Sequence, residues 1–282
     1  MGTGKKKAAF VACSNPRSKE KIPEISQVAD FLRNEGLEVI LPAVFFEQFS
    51  MDPALKAEGL MNCFRDPDMA YIFDVSGGDL ANGVLPFLDY DVIRSSDALF
   101  FGYSDLTTVI NALIVKTGKS AVNYQIRNIL YDHADEQRCY LREKVLPGKI
   151  SQEDLMYHFL RGERMRGKIL GGNIRCFLKL AGTPYWPDMK GSILLLESLG
   201  GGVYEMMTAL EQYRQIGVFD QISGVILGTF SKMEEENLQP SITELVLKTL
   251  PKDIPVAYTR YIGHYSDAKA IVLGRETALV KE

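Results

Sequence analysis

The chain has 282 residues, 46% hydrophobic and 24% charged, with a net charge of −4 at pH 7. That size suits one large domain or two small ones with a real buried core, and the slight acidity argues against a nucleic-acid footprint. No apolar run reaches membrane-spanning length, and the four cysteines (Cys13, Cys63, Cys139 and Cys176) form no C-x-x-C pair, so a cytoplasmic chain with reduced thiols, no metal and no membrane partner is expected.

The opening stretch has too short an apolar segment for a secretory signal, and Lys5-Lys6-Lys7 reads as the solvated flank of a first strand, Ala8 to Ala12. A polar loop, Ser14-Asn15-Pro16-Arg17, leads to a helix whose apolar face is Ile25, Val28, Ala29 and Leu32, ended by Gly36. Leu37 to Leu41 is the next strand. Strand, loop, helix and strand in this order suggest a parallel sheet with right-handed crossovers. A second helical pattern runs from Ala54 to Phe64, and Ala70 to Val75 is a third strand. Ser76-Gly77-Gly78-Asp79 follows it at once. Paired glycines there make a turn, or they allow the close backbone approach that a substrate contact or an oxyanion donor requires. Ligands of open α/β sheets bind at this C-terminal strand edge. A G-x-G-x-x-G fingerprint is absent, so a nicotinamide or flavin cofactor has no support.

Asp97 to Gly118 is the most informative stretch. Ala98 to Phe101 reads as a buried strand, and Leu106, Val109, Ile110, Leu113 and Ile114 as one face of a helix stopped by Gly118. Between them lies Gly102-Tyr103-Ser104-Asp105. A serine on such a turn stands above the sheet edge with a helix N-terminus beneath it, and the Asp105 backbone N–H points at an oxyanion on any carbonyl that Ser104 attacks. This is the logic of a nucleophile elbow, although Leu106 stands where G-x-S-x-G has its second glycine. Ser104 or Asp105 could equally cap the helix, since both residue types are favoured N-caps.

Residues 126–165 are highly charged, broken by Pro147-Gly148, and read as a helical or partly mobile connector between two lobes, with His133 and His158 at its surface. The second lobe opens on Gly171-Gly172-Asn173 and a loop-rich passage holding Trp186, the only tryptophan. Ser192 to Leu196 is a buried strand closed by Glu197, and a carboxylate there implies a partner. Met206, Met207, Leu210 and Tyr213 mark a helix face turned to the core. Gly224 to Gly228 and Ile254 to Tyr258 are strands, Thr243 to Leu250 a helix, and His264 sits in a glycine-flanked turn. Ala270 to Gly274 and Thr277 to Val280 look like a terminal hairpin. Arg164, Arg166 and Lys168 read as an exposed charged stripe.

Ser104, Glu197 and His264 each lie where a strand meets a loop. A serine hydroxyl needs a neutral imidazole to take its proton, and the imidazole needs a carboxylate on its other nitrogen.

The sequence also resembles a known family. GYSDLTTVINALIVKTG, SGGDLANGVLPFLDYDVI, GGNIRCFLKLAGTPYWPDMKGSILLLES, GVFDQISGVILGTF and PVAYTRYIGHYSDAKAIVLG are similar, in order, to blocks of the LD-carboxypeptidase family. These are serine peptidases that include the microcin C immunity proteins. The resemblance implies an α/β fold with an N-terminal parallel-sheet lobe (1–125) bearing the nucleophile elbow. The connector (126–165) then leads to a smaller C-terminal α/β lobe (166–282), with the active site in the cleft between the lobes. It implies Ser104 as nucleophile, His264 as general base and acid, Glu197 as orienting carboxylate, and the backbone N–H groups of Asp105 and Gly78 as oxyanion hole, with Gly77 and Asn173 contacting substrate. It further implies a cytoplasmic homodimer without cofactor that releases a terminal D-amino acid from murein tetrapeptide. The immunity-protein branch implies a peptidyl or aminoacyl sulfamoyl-adenylate as the alternative substrate. A catalytically silent muropeptide-binding protein is the alternative of another class. Three departures stand out: Ile174-Arg175 after Asn173, Ser198-Leu199-Gly200-Gly201-Gly202 after Glu197, and a connector without tryptophan.

Overall fold

The computed structural model describes residues 6–16, 19–41 and 51–281; Lys5 of the basic triplet and Arg17 of the first loop lie outside them. Two sheets organise the chain. The first contains β1 (Lys7–Val11), β2 (Glu38–Ile40), β3 (Met69–Asp74), β4 (Leu99–Gly102) and β5 (Ala121–Asn123), all parallel, in the order β2-β1-β3-β4-β5. Its core is aromatic: Phe73 faces Phe101 across the β3–β4 register, with ring centroids 4.6 Å apart. Strand order reverses between β1 and β3, and their C-terminal loops, Ser14-Asn15 and Ser76-Gly77-Gly78, therefore flank the crevice where such sheets bind ligands.

Helices cover both faces. α1 (Ile22–Asn34) buries Ile25, Val28, Ala29 and Leu32 on one side; α2 (Pro53–Arg65), α3 (Tyr90–Ser95) and α4 (Thr107–Thr117) pack on the other. Gly118 ends α4 in a left-handed conformation and returns its N–H to the Ile114 carbonyl, the stop expected from the sequence.

The second sheet has the order β12-β7-β8-β9-β10-β6. β7 (Arg164–Asn173), β8 (Ile193–Ser198), β9 (Gly224–Phe230) and β10 (Val256–Tyr258) are its parallel centre, and β6 (His158–Arg161) and β12 (Glu276–Val280) its antiparallel edges. α6 (Ile174–Leu178), α7 (Val203–Gln215), α8 (Ser231–Glu235) and α9 (Ile242–Thr249) accompany it. On α7, Met206, Leu210 and Tyr213 are buried as expected, whereas Met207 is exposed.

Three expectations change. The closing segments do not form a hairpin. β11 (Ile271–Leu273) pairs antiparallel with β5 of the first sheet and β12 with β7 of the second, so each covers an edge that would otherwise stay open. Gly171-Gly172-Asn173 is the end of the ten-residue strand β7 rather than a loop. Glycine there lets α4 lie against the strand, since a Cβ at Gly172 would meet Thr107 Oγ1 at 2.6 Å. Asn111 fastens the contact, donating to the Gly171 carbonyl at 2.8 Å and accepting its N–H at 3.0 Å. The third change is the charged segment 126–165, which is folded onto both sheets. Ile126, Ile129, Leu141 and Val145, with α5 (Ala134–Tyr140), are buried against the first sheet, and β6 joins the second. The two lobes share one core: Leu106, Val109 and Ile110 belong to the same buried cluster as Ile169, Leu194 and Ile226. His133 and His158 are exposed, and Arg164, Arg166 and Lys168 alternate outward along β7 as a solvated stripe.

Candidate active site

Ser104 begins a single 3-10 turn, Ser104–Leu106, between β4 and α4. Its φ is +57°, a left-handed conformation that costs a non-glycine residue energy and marks sites where the backbone is held for a purpose. The turn lifts the half-buried hydroxyl above the sheet edge, and neither Ser104 nor Asp105 caps α4 with its side chain. The backbone N–H of Asp105 donates to no protein acceptor among the described residues, and neither does that of Gly78 on the loop after β3. Gly78 has φ +135°, and a Cβ there would lie 2.1 Å from Asn15 Cγ. Asn15 in turn accepts the Asp79 N–H at 3.0 Å, binding the loops after β1 and β3 together.

Glu197 stands near the end of β8, its side chain 2% exposed, and answers the expectation that a carboxylate there has a partner: its Oε2 lies 2.7 Å from His264 Nδ1. The approach is oblique rather than a straight N–H···O bond. Burial lowers the affinity of His264 for a proton, the Glu197 charge raises it, and the charge wins, so its pKa lies above the ordinary 6.5. His264 Nε2 is buried without a hydrogen bond among the described residues. Tyr103, next to Ser104 in the chain, stacks obliquely on the His264 ring with centroids 5.3 Å apart, which brings elbow and imidazole together.

The loop carrying His264 runs from β10 of one sheet to β11 of the other, and residues of the 126–165 segment hold it. Asn128 donates to the Tyr265 carbonyl at 3.4 Å, Gln137 to that of Ala268 at 2.9 Å, and Thr259 to that of Leu155. From β9, the Thr229 N–H bonds the Ile262 carbonyl at 2.8 Å. Asn173 is in register with Glu197 across β7–β8; its side-chain oxygen accepts the N–H groups of Arg175 and Cys176 as the cap of α6.

Beneath the elbow lies a polar network that has no local signature in the sequence. The fully buried Asp105 carboxylate accepts from Ser14 Oγ at 2.6 Å, the Ala81 N–H at 2.8 Å and Lys179 Nζ at 2.6 Å. Asp74, at the end of β3, accepts the N–H groups of Cys13 and Ser76 at 2.8 Å each, and burial raises its pKa despite those bonds. Lys56 donates to the Ser14 carbonyl, with its pKa lowered by burial. Among the described residues, no group of three or more His, Cys, Asp or Glu side chains is arranged to hold a metal, and no helix is long and apolar enough to cross a membrane.

With the geometry in place, the likeness to known proteins is specific. The model of the LD-carboxypeptidase N-terminal domain matches residues 8–124, and that of the LD-carboxypeptidase C-terminal domain residues 166–279. The chain is 24% identical to the microcin C7 self-immunity protein MccF of Escherichia coli, over 96% of this chain and 89% of that one. It is 23% identical to a Bacillus subtilis (strain 168) protein named "Probable murein peptide carboxypeptidase", over 88% of this chain and 82% of the other. The solved structure of MccF in complex with glutamyl sulfamoyl guanosine superposes with a TM-score of 0.84 at 19% identity, covering 98% of this chain and 96% of that one, a likeness of fold.

Proposed function

Since this chain belongs to the LD-carboxypeptidase family and is a serine-type peptidase, we propose that it hydrolyses the amide to the terminal D-amino acid of murein tetrapeptide through Ser104, His264 and Glu197. One observation carries the reading: a serine held at φ +57°, whose neighbour Tyr103 packs against a buried imidazole that already has its carboxylate. In the first step Ser104 Oγ bonds the scissile carbonyl carbon as its proton passes to His264 Nε2. The amide N–H groups of Asp105 and Gly78 receive the oxyanion. Collapse breaks the C–N bond, and the same proton goes to the departing amine, leaving an acyl-enzyme. Water, deprotonated by His264, then releases the acid and restores Ser104. In this reading Ser104 Oγ reaches the unpaired His264 Nε2 only as substrate engages, since catalytic hydrogen bonds commonly close in the substrate complex. Gly77 and the Asn173 amide contact the peptide. The reading carries with it a cytoplasmic site of action and a homodimer.

A second reading keeps the chemistry and changes the leaving group to a sulfamoyl or phosphoryl nucleotide. What favours it is a pocket of about 410 Å³ whose lining includes Tyr265, the residue after His264. Tyr258, Tyr261 and Tyr265 give it aromatic surface, and Met156 and His158 of the 126–165 segment also line it. Such surfaces stack on bases.

The test is to incubate the protein and its Ser104→Ala variant with murein tetrapeptide and with aminoacyl sulfamoyl-adenylate, following products by mass spectrometry. D-alanine release by the wild type alone supports the first reading. Cleavage of the adenylate only moves the assignment to the second. Cleavage of neither by folded protein overturns both.

A further inference from the structure

The two amides assigned to the oxyanion hole sit on separate loops, after β3 and after β4, and must be held at one point for the hole to exist before substrate arrives. One ammonium reaches the neighbours of both. Lys179 Nζ lies 2.6 Å from Asp105 Oδ1, 3.0 Å from the Asp79 carbonyl oxygen and 3.7 Å from Asp79 Oδ1. Asp105 directly follows Ser104, and Asp79 directly follows Gly78. Lys179 belongs to neither loop: it closes α6, the helix that starts at Asn173 in the second lobe. The remaining Asp105 oxygen, Oδ2, ties in Ser14 and Ala81 on either side of the same crevice.

From this convergence we propose that Lys179 is a positioning residue, a clamp from the C-terminal lobe that holds the Gly78 and Asp105 amides in register as one oxyanion hole. The inference rests on the proposed role of those two amides. The chemistry suits a lysine: a compact charge with three donors can serve a carboxylate and a carbonyl at once. It also has an electrostatic consequence. A fully buried carboxylate one residue from the nucleophile opposes negative charge growing on the substrate oxygen, and a cation on that carboxylate cancels the opposing field. Burial works against the Lys179 charge, but its bond to Asp105 prevails and keeps its pKa above that of an ordinary lysine.

The test compares Lys179→Met and Lys179→Arg with the wild type by amide hydrogen exchange and by steady-state hydrolysis of whichever substrate the wild type cleaves. In Lys179→Met, exchange in peptides spanning 76–81 and 103–108 is expected to quicken at least about tenfold while β8 and β9 stay protected. Its kcat falls about 10- to 100-fold at a KM within about threefold, and Lys179→Arg recovers most of both losses. Unchanged exchange in the two loops, exchange rising throughout both sheets, or an unaltered kcat overturns the clamp and leaves the proposed function standing. A wild type that cleaves nothing overturns the proposed function and the catalytic half of the clamp, while the exchange comparison still decides whether Lys179 orders the two loops.

Discussion

Replacing Gly78 by alanine tests the loop after β3 at its most constrained point. At φ +135° an L side chain is strained, at a cost of about 1–3 kcal/mol. The smaller entropy of the unfolded alanine chain returns about 0.4–1 kcal/mol of that. The new Cβ also falls 2.1 Å from Asn15 Cγ, so Asn15 must move and give up the Asp79 N–H, worth about 1 kcal/mol. The net is about 1–3.5 kcal/mol, or about 2–6 °C in Tm for a chain of this size. Because the shift displaces the Gly78 amide, kcat is expected to fall about 10²–10³-fold, the usual effect of losing one oxyanion donor. Gly77→Ala is the stability control: a Cβ there meets nothing within 4 Å, so its Tm should stay within about 2 °C of wild type. Scanning calorimetry and initial rates on the three proteins decide the matter. A Gly78→Ala variant with unchanged Tm refutes the strain argument, and one with kcat within about threefold of wild type refutes the assignment of this amide.

Three other substitutions or titrations follow from the same geometry. Glu197→Gln keeps the volume of a buried side chain but removes the charge that orients His264, so kcat should drop about 10⁴-fold; a loss under tenfold in a rate assay contradicts its orienting role. Both Ser104→Ala and Ser104→Gly lose the hydroxyl, yet glycine alone relieves φ +57°; after the greater unfolded-chain entropy of glycine is subtracted, Ser104→Gly should melt about 1–3 °C above Ser104→Ala. The reverse order in thermal denaturation removes the strained-elbow reading. The base must be neutral, and the His264 pKa is raised, so kcat/KM should fall on the acid side with a midpoint above 6.5 that moves down in Glu197→Gln. The sign for stability is opposite: the protonated pair contributes fully below pH 6.5, and that contribution is lost as pH rises through the higher folded pKa. A midpoint that ignores Glu197→Gln in the rate profile rules out the coupling.

Local chemistry was legible in the sequence, and long-range pairing was not. A serine between an apolar run and a helical period reads as an exposed turn because both flanking patterns are local, and the structure has that turn between β4 and α4. Glu197 was readable for a different reason: a carboxylate closing a buried strand is costly alone, so a partner was implied before it was known to be His264. The closing strands show the limit. Ile271–Leu273 and Glu276–Val280 are adjacent and both strand-like, which is all a hairpin signal consists of, and nothing local says that open edges of two different sheets compete for them. Composition misled in the 126–165 segment, where charged residues face solvent while Ile126, Ile129, Leu141 and Val145 pack inward and Asn128 and Gln137 steady the His264 loop. Lys179 had no sequence signal at all, because its partners are 74 and 100 residues away.

The most direct measurement is rapid acid quench of the protein with its cleaved substrate, followed by mass spectrometry of the peptide containing Ser104. The expected result is a transient mass increase equal to the acyl part of the substrate, located on Ser104 and absent from Ser104→Ala. Turnover with no adduct in the wild type and an undiminished rate in Ser104→Ala would contradict it.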